Sequence, residues 1–181
     1  IAEIVRSMKE FSHADQEEMS RVDLNRAIMS MLVIARTEYK YVADVETDLA
    51  KELPFVTCHG GQINQVVLNL VVNAAHAIED VVKRTGGKGS IRVKTCVENE
   101  QVVISISDTG NGIPEPIRKA IFDPFFTTKE VGKGTGQGLS IAHSVIKSHG
   151  GKLEFETEIG KGTTFYVRLP IDTSESEADA A

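Results

Sequence analysis

The sequence has no tryptophan, only two cysteines and few aromatics, and it lacks any long apolar run. Cys58 and Cys96 have no metal-ligand spacing, so neither a disulfide framework nor a thiolate metal site is expected. Both read as small buried thiols in a reducing compartment. No stretch approaches the ~20 apolar residues of a membrane span, and no signal-peptide pattern opens the chain. The expectation is a cytoplasmic segment without membrane contact of its own. Positive charge is also short. Twenty Lys and Arg face 26 Asp and Glu, a net charge of -6, which argues against nucleic acid as a partner. The chain opens on Ile1 and reads as a piece of a longer protein, whose parent can still be membrane-anchored. With 181 residues it is long enough for one domain with a real core.

Hydrophobic spacing organises what is present. Residues 1–12 place Ile1, Ile4, Val5, Met8 and Phe11 on one helical stripe, the end of a helix whose partner lies elsewhere. Residues 13–22 are polar and without period and read as a linker. A helix is expected over 23–37, a strand from Tyr39 to Val45, and a short strand in "PFVTC". "HGG" at 59–61 then breaks the chain, and a long helix runs over 62–82. Strands 90–97 and 101–107 form a hairpin turning at Glu98, Asn99 and Glu100. After a long loop over 109–136 come a helix at 138–148 and two strands, 152–157 and 163–169. The tail 172–181 is acidic and small, composition that favours disorder. Every strand alternates, so one sheet face is expected to be open. The order predicts an α/β (α+β) two-layer sandwich, a mixed, mostly antiparallel sheet with about three helices on one face.

Three features stand outside a plain core. First, Val102, Ile104 and Ile106 alternate, and the next residue in that row is Asp108. An inward carboxylate demands a partner, because burying it unpaired is costly. Second, the helix 62–82 carries Gln62, Gln65, Asn69, Asn73, His76 and Asp80 at helical spacing. Asn costs roughly half a kcal/mol against Ala inside a helix. The stripe is either a solvated face or a set of neutral oxygen ligands for a hard cation or polar group. Third, Gly132, Gly134, Gly136 and Gly138 precede an apolar helix, with Lys129 and Lys133 beside them. This is either a flexible linker or a phosphate cradle at a helix N-terminus. It lacks the spacing of a P-loop and the preceding strand of a dinucleotide fingerprint. Phe122, Phe125 and Phe126 lie between, as loop anchors or as the hinge of a lid.

Taken in order, "NLVVNA" (69–74), "DTGNG" (108–112), "FDPFF" (122–126) and "GTGQGL" (134–139) resemble the four boxes of the ATP-binding catalytic domain of sensor histidine kinases. The closing "GKGTTFYVRLP" resembles that family's last strand. The likeness covers about residues 20–170. It implies the Bergerat fold, shared with type II topoisomerases, the ninety-kilodalton heat-shock chaperone and MutL. By that resemblance, Asn73 ligates Mg2+ on the ATP phosphates and Asn69 supports it from the adjacent turn. Asp108 takes the adenine amino group, and Thr163 joins it around a shared water. Gly110, Gly112, Ile113 and Ala77 line the base. Phe125, Thr128, Lys129, Lys133, Gly134, Thr135, Gly136, Gln137, Gly138 and Leu139 surround the phosphates under the lid. Many members carry Lys or Tyr three or four residues after the metal-binding asparagine, where this chain has His76 and Ala77.

The resemblance also implies domain bounds. Residues 1–12 would end a dimerisation helix, 13–22 link, 23–171 bind ATP, and 172–181 trail off. The implied function is γ-phosphate transfer from Mg-ATP to a histidine on the dimerisation domain of the same protein. The phosphate would then pass to the receiver domain of a response regulator, and the parent would be a homodimer. No acceptor is expected in this chain. His13 does not fit the acceptor context, and His59, His143 and His149 read as structural. The alternatives are an ATP-hydrolysing module of the topoisomerase, chaperone or mismatch-repair type, and a nucleotide-gated interaction domain. The hydrolytic relatives place a Glu where this chain has Asn69, and an amide is no general base.

Overall fold

A computed structural model describes residues 18–128 and 134–171. The stretches read as dimerisation-helix end and acidic tail, and the lysines Lys129 and Lys133, lie outside the described residues. The elements are β1 (Ser20–Val22), α1 (Leu24–Ile34), α2 (Arg36–Tyr39), β2 (Ala43–Asp48), β3 (Val56–Cys58) and α3 (Gly60–Thr85). They continue with β4 (Gly89–Glu98), β5 (Gln101–Asp108), a 3-10 turn at Glu115–Ile117, α4 (Gly138–Ser148), β6 (Lys152–Glu158) and β7 (Gly162–Pro170).

Five strands form one sheet in the order β2-β4-β5-β7-β6. β2 pairs with β4 in parallel and the other pairings are antiparallel, so the sheet is mixed as expected. The hairpin between β4 and β5 turns on Asn99 and Glu100, both with positive φ, as a tight two-residue turn of this hand requires. Helices α1, α3 and α4 cover one face. The apolar side of α3 supplies the middle of the core: Ile63, Val66, Val67, Leu70, Val71, Ala74, Ala75 and Ile78 are all buried. Each of the Ile, Val and Leu side chains among them is worth about 1.5–3 kcal/mol of burial. By length and composition α3 could cross a membrane, but here it is the core helix of the sandwich. The opposite sheet face is charged and open. Arg92 meets Glu46 at 2.9 Å, and Arg168 meets both Glu98 and Glu154, at 3.0 and 3.1 Å.

Local readings differ from the fold in four places. Within the stretch taken as linker, Ser20–Val22 pairs antiparallel with β3; three residues are too few to carry a period. The helix expected over 23–37 is capped by Asp23, whose side chain accepts from Arg26 N, but it breaks after Ile34. The strand expected from Tyr39 begins only at Ala43: Lys40 N donates to Arg36 O and Val42 N to Tyr39 O, which closes a helical turn there, and the Tyr39 hydroxyl donates back to Leu32 O at 3.0 Å. Gly60 and Gly61 begin α3 rather than interrupt the chain.

Candidate functional site

Strand register explains the carboxylate at the end of the apolar row. On the helix-covered face, Val93, Ile106, Phe165 and Phe155 stand side by side across four strands. The next row is Ile91, Asp108, Thr163 and Thr157. The core thus stops in one step from apolar to polar across β5, β7 and β6. Asp108 is 9% exposed and faces no cation among the described residues. Its Oδ1 accepts from Gly110 N at 2.8 Å and from Thr163 N at 3.3 Å. Both bonds fall on Oδ1, which leaves Oδ2 available. Burial pushes the carboxyl up to about 6, against the opposing pull of those two N–H donors. A buried acceptor of this kind is suited to a ligand N–H.

The loop after Asp108 is tied down residue by residue. Thr109 exchanges bonds with Ser90: its N donates to Ser90 O at 3.2 Å, and its Oγ1 accepts from Ser90 N at 2.9 Å. Gly110 lies so close to α3 that a Cβ there would come within 2.6 Å of the Ala77 Cβ. The Arg84 guanidinium, at the end of α3, donates to Asn111 Oδ1. Asn111 O accepts from Gly160 N at 2.8 Å. Ile113 is held from both sides, its N donating to Thr157 Oγ1 at 2.8 Å and its O accepting from Arg118 Nε at 3.0 Å. Gly112 sits half-buried between these anchors.

The amide stripe on α3 divides. Asn69 Nδ2 donates to Gly138 O at 3.1 Å, joining α3 to the first residue of α4. Asn73, one turn on, is half-buried, and its carboxamide makes no hydrogen bond among the described residues. His76 turns the other way, 4.0 Å from Glu38 of α2. No group of three or more His, Cys, Asp or Glu that could hold a metal occurs among the described residues.

The loop aromatics anchor as well as cover. Phe122 stacks on His143 of α4, with centroids 4.8 Å apart, and meets Phe155 edge-on. Phe126 also packs on the core. Phe125 is 66% exposed, with φ 65, and its backbone abuts Gly136. Positive φ on a bulky residue is strained, and such strain concentrates at working loops. Thr128 and Thr135 are exposed, Gly134 and Gly136 half-buried. Gln137 N donates to Thr135 Oγ1 at 3.4 Å. Gln137 O then accepts from Ile141 N and Ser140 Oγ to start α4, while Leu139 packs inward. The N-terminus of an 11-residue helix therefore opens beside Asn69. Of the histidines read as structural, His149 is built in: Nδ1 bonds Val145 O at 2.7 Å and Nε2 accepts from His59 N at 3.1 Å.

Residues 59–173 match the family model described as histidine kinase-, DNA gyrase B-, and HSP90-like ATPase. The chain belongs to this ATPase family. Membership makes ATP the ligand class of the site. This ATPase-family chain is 36% identical to the sensor kinase CckA of Brucella abortus, over 99% of its own length and 20% of that protein's. It is 34% identical to the signal transduction histidine-protein kinase AtoS of Escherichia coli, over 95% of its length and 27% of the relative's. The chain therefore spans about a fifth to a quarter of these curated relatives. The catalytic domain of the histidine kinase ThkA matches it with a TM-score of 0.71 at 33% identity, covering 85% of this chain and 98% of that one. The five-stranded sheet with helices on one face is thus that of histidine kinase catalytic domains. Thr157, Arg84 and Arg118 carry no chemical signal in the sequence, and Gly162 enters only as part of the closing "GKGTTFYVRLP". Their only signal there is position, in the hairpin before "GTTF" and at the ends of motifs.

Proposed function

We propose that this chain is the ATP-binding catalytic part of a sensor histidine kinase, which presents the γ-phosphate of Mg-ATP to a histidine on a dimerisation domain of the same parent. The observation that carries the reading is the buried Asp108, held through Oδ1 with Oδ2 available, across a glycine loop from Asn73 and the N-terminus of α4. Asp108 Oδ2 accepts from the adenine 6-amino group, and the backbone at Gly110, Gly112 and Ile113 borders the base with Ala77. Thr163 completes the polar edge. Gly134, Thr135, Gly136, Gln137, Gly138 and Leu139 wrap the phosphates, with Lys129 and Lys133 as cations and Phe125 and Thr128 at the lid. The helix N-terminus favours the anion.

The donor set fits Mg2+ only in a limited way, and that limit is informative. Among the described residues the Asn73 carboxamide, a hard neutral ligand, makes no hydrogen bond, and no carboxylate cluster that could hold a metal occurs. An ion held by one asparagine must take its other ligands from phosphate and water, as Mg2+ does with nucleotides. When bound, the ion neutralises phosphate charge. The protein's part is to hold the base, align the phosphates and exclude water. Asn69 supports transfer rather than hydrolysis: its amide donates to Gly138 O and cannot take a proton from water.

The reading extends to a homodimeric parent and a response-regulator receiver domain as the next acceptor, with residues 23–171 as the ATP-binding unit and the catalytic reaction in the cytoplasm. The test is phosphotransfer from labelled ATP. The chain alone is expected to stay unlabelled and to label a separately supplied dimerisation domain in the presence of Mg2+. Labelling of the chain itself, or ATP turnover without any acceptor, would overturn the assignment.

A further inference from the structure

Helix α4 is fastened to α3 at both ends. At its start, Asn69 Nδ2 donates to Gly138 O at 3.1 Å. At its end the fastening is His149, which is buried. Its Nδ1 lies 2.7 Å from Val145 O, one turn back. Its Nε2 lies 3.1 Å from the backbone N of His59, the residue that precedes α3. A carbonyl oxygen only accepts and an amide N–H only donates. These partners therefore assign the ring proton to Nδ1 and leave Nε2 bare. The ring is neutral in this arrangement, with both nitrogens used. A second proton would set Nε2–H against the His59 N–H, donor to donor. The surroundings do not offset that charge. From the start of α3, the His59 ring faces His149 edge-on at 5.4 Å. On its own helix, the Ser148 hydroxyl lies 3.5 Å from Nδ1, and Lys147 is a cation. Strand β1, paired with β3, brings Arg21, which sits over the Phe55 ring. Strands β6 and β7 bring Lys152 and Arg168, both engaged by Glu154. No carboxylate pairs with His149 among the described residues.

From this geometry we infer that the joint between His149 and His59 is an acid-sensitive latch on the nucleotide site. It holds the end of α4 to the start of α3 only while His149 is neutral. Histidine is the side chain whose charge ordinarily changes between pH 5 and 8. An opened joint takes the proton with the ordinary histidine midpoint of about 6.5, and the closed joint has no place for it. The closed joint is thus fully favoured above that midpoint and loses ground as pH falls below it. Once open, α4 keeps the Asn69 bond at its start and loses the bond at its end. Its buried face, with Ala142, Val145 and Ile146, keeps it on the core, so the helix loosens rather than departs. The looser helix carries the N-terminus that meets the phosphates. That consequence rests on the nucleotide reading above, whereas the latch itself does not.

The experiment follows the whole chain between about pH 7.5 and about pH 5.5, around the ordinary histidine midpoint. Nitrogen NMR of the histidine rings reads the unsubstituted chain directly. The His149 ring is expected to show a protonated Nδ1 and a bare Nε2, and to keep both while the joint is closed. A proton on Nε2 at the upper pH overturns the inference, as does a ring that charges without moving the His59 amide signal. Denaturant unfolding then compares the unsubstituted chain with His149→Gln, whose side-chain oxygen can accept from His59 N and does not titrate. The folding constant of the unsubstituted chain relative to the variant is expected to fall about tenfold from the upper to the lower pH. Asp108 titrates in the same window in both proteins, so the ratio removes its effect. His59→Pro removes the opposing N–H, and the φ of -78 there suits proline. In that background the same comparison is expected to show no such fall. An unchanged ratio in the first comparison, or a persisting fall in the second, overturns the inference. By calorimetry, ATP affinity should weaken with acid more in the unsubstituted chain than in His149→Gln, by up to about tenfold. Equal weakening overturns the inference as well. Absence of ATP binding at the upper pH overturns the nucleotide reading and with it the link to the site, while the NMR result decides the latch by itself.

Discussion

The side chain of Asn69 reaches from the middle of α3 to donate to the carbonyl oxygen of Gly138 at 3.1 Å. This bond ties the N-terminus of α4 to the turn of α3 before Asn73. Its loss should therefore be felt at the start of α4 more than elsewhere. Asn69→Ala is expected to cost about 1 kcal/mol, the ordinary value of such a bond, or roughly 2–4 °C in melting temperature for a chain of this size. Hydrogen exchange locates the effect: the first-turn amides of α4 should exchange faster, with β4 and β5 unchanged. Uniform acceleration across the sheet would mean that Asn69 acts on the whole core instead.

Asp108 links stability to pH in the direction opposite to most carboxylates. Burial raises its folded pKa to about 6, above the ordinary 3.8, so the folded chain holds the proton more tightly than the unfolded chain. The contribution is therefore full below pH 3.8 and is lost as pH rises through 6. Over that window the loss amounts to roughly 3 kcal/mol at most. Asp108→Asn keeps an oxygen to accept from Gly110 N and removes the ionisation. Without nucleotide, the variant should be more stable than the parent at pH 8, with the gain gone by pH 4. Denaturant unfolding at the two pH values checks this. The same variant should bind ATP about ten- to a hundredfold more weakly, since a charge-assisted bond of about 1.5–3 kcal/mol is replaced. A variant less stable than its parent at pH 8 would show that the Gly110 and Thr163 bonds outweigh desolvation.

What could be read from sequence was what local pattern carries. Alternation alone sends Asp108 inward, because Val102, Ile104 and Ile106 precede it at period two, and the structure buries it. The α3 core face was legible for the same reason at period 3.6. Thr157 was not, because its partner Ile113 N is 44 residues away and is reached only through the register of β6 on β7 on β5. Tyr39 misled for a related reason: its alternation with Tyr41 suggests a strand, but the backbone bonds of Lys40 N to Arg36 O and Val42 N to Tyr39 O close a helical turn there. The split of the amide stripe was equally hidden. Helical spacing groups Asn69, Asn73 and His76, whereas Gly138 and Glu38 pull two of them to different neighbours.

The Asn73 carboxamide makes no hydrogen bond among the described residues, and this makes its substitution diagnostic. Asn73→Ala removes a half-buried polar group that bonds nothing among the described residues, so stability should change by less than about 0.5 kcal/mol. Affinity for ATP in Mg2+ should drop at least about tenfold, while affinity in the presence of a chelator should hardly move. Titrations with and without Mg2+ separate the two. Equal losses in both conditions would place Asn73 on the nucleotide rather than on the ion.

Gly162 and Gly160 offer a paired test of how tightly the polar row is built. Both have positive φ, 125 and 78; Gly160 lies in the turn between β6 and β7, and Gly162 opens β7. Around Gly160 a Cβ would meet nothing within 4 Å, so Gly160→Ala pays only for the left-handed backbone, about 1 kcal/mol. At Gly162 a Cβ would stand 1.8 Å from Asp108 O. The clash is with backbone, which no rotamer change relieves, and it falls on the Asp108–Thr163 pair that aligns β5 with β7. Gly162→Ala should therefore cost about 2–4 kcal/mol and separate the two residues that form the polar edge. ATP affinity should collapse in Gly162→Ala and stay near the parent value in Gly160→Ala, with melting temperature and calorimetry read on the same preparations. Comparable effects from both substitutions would mean that the turn conformation, rather than the contact of Gly162 with Asp108, holds the row in place.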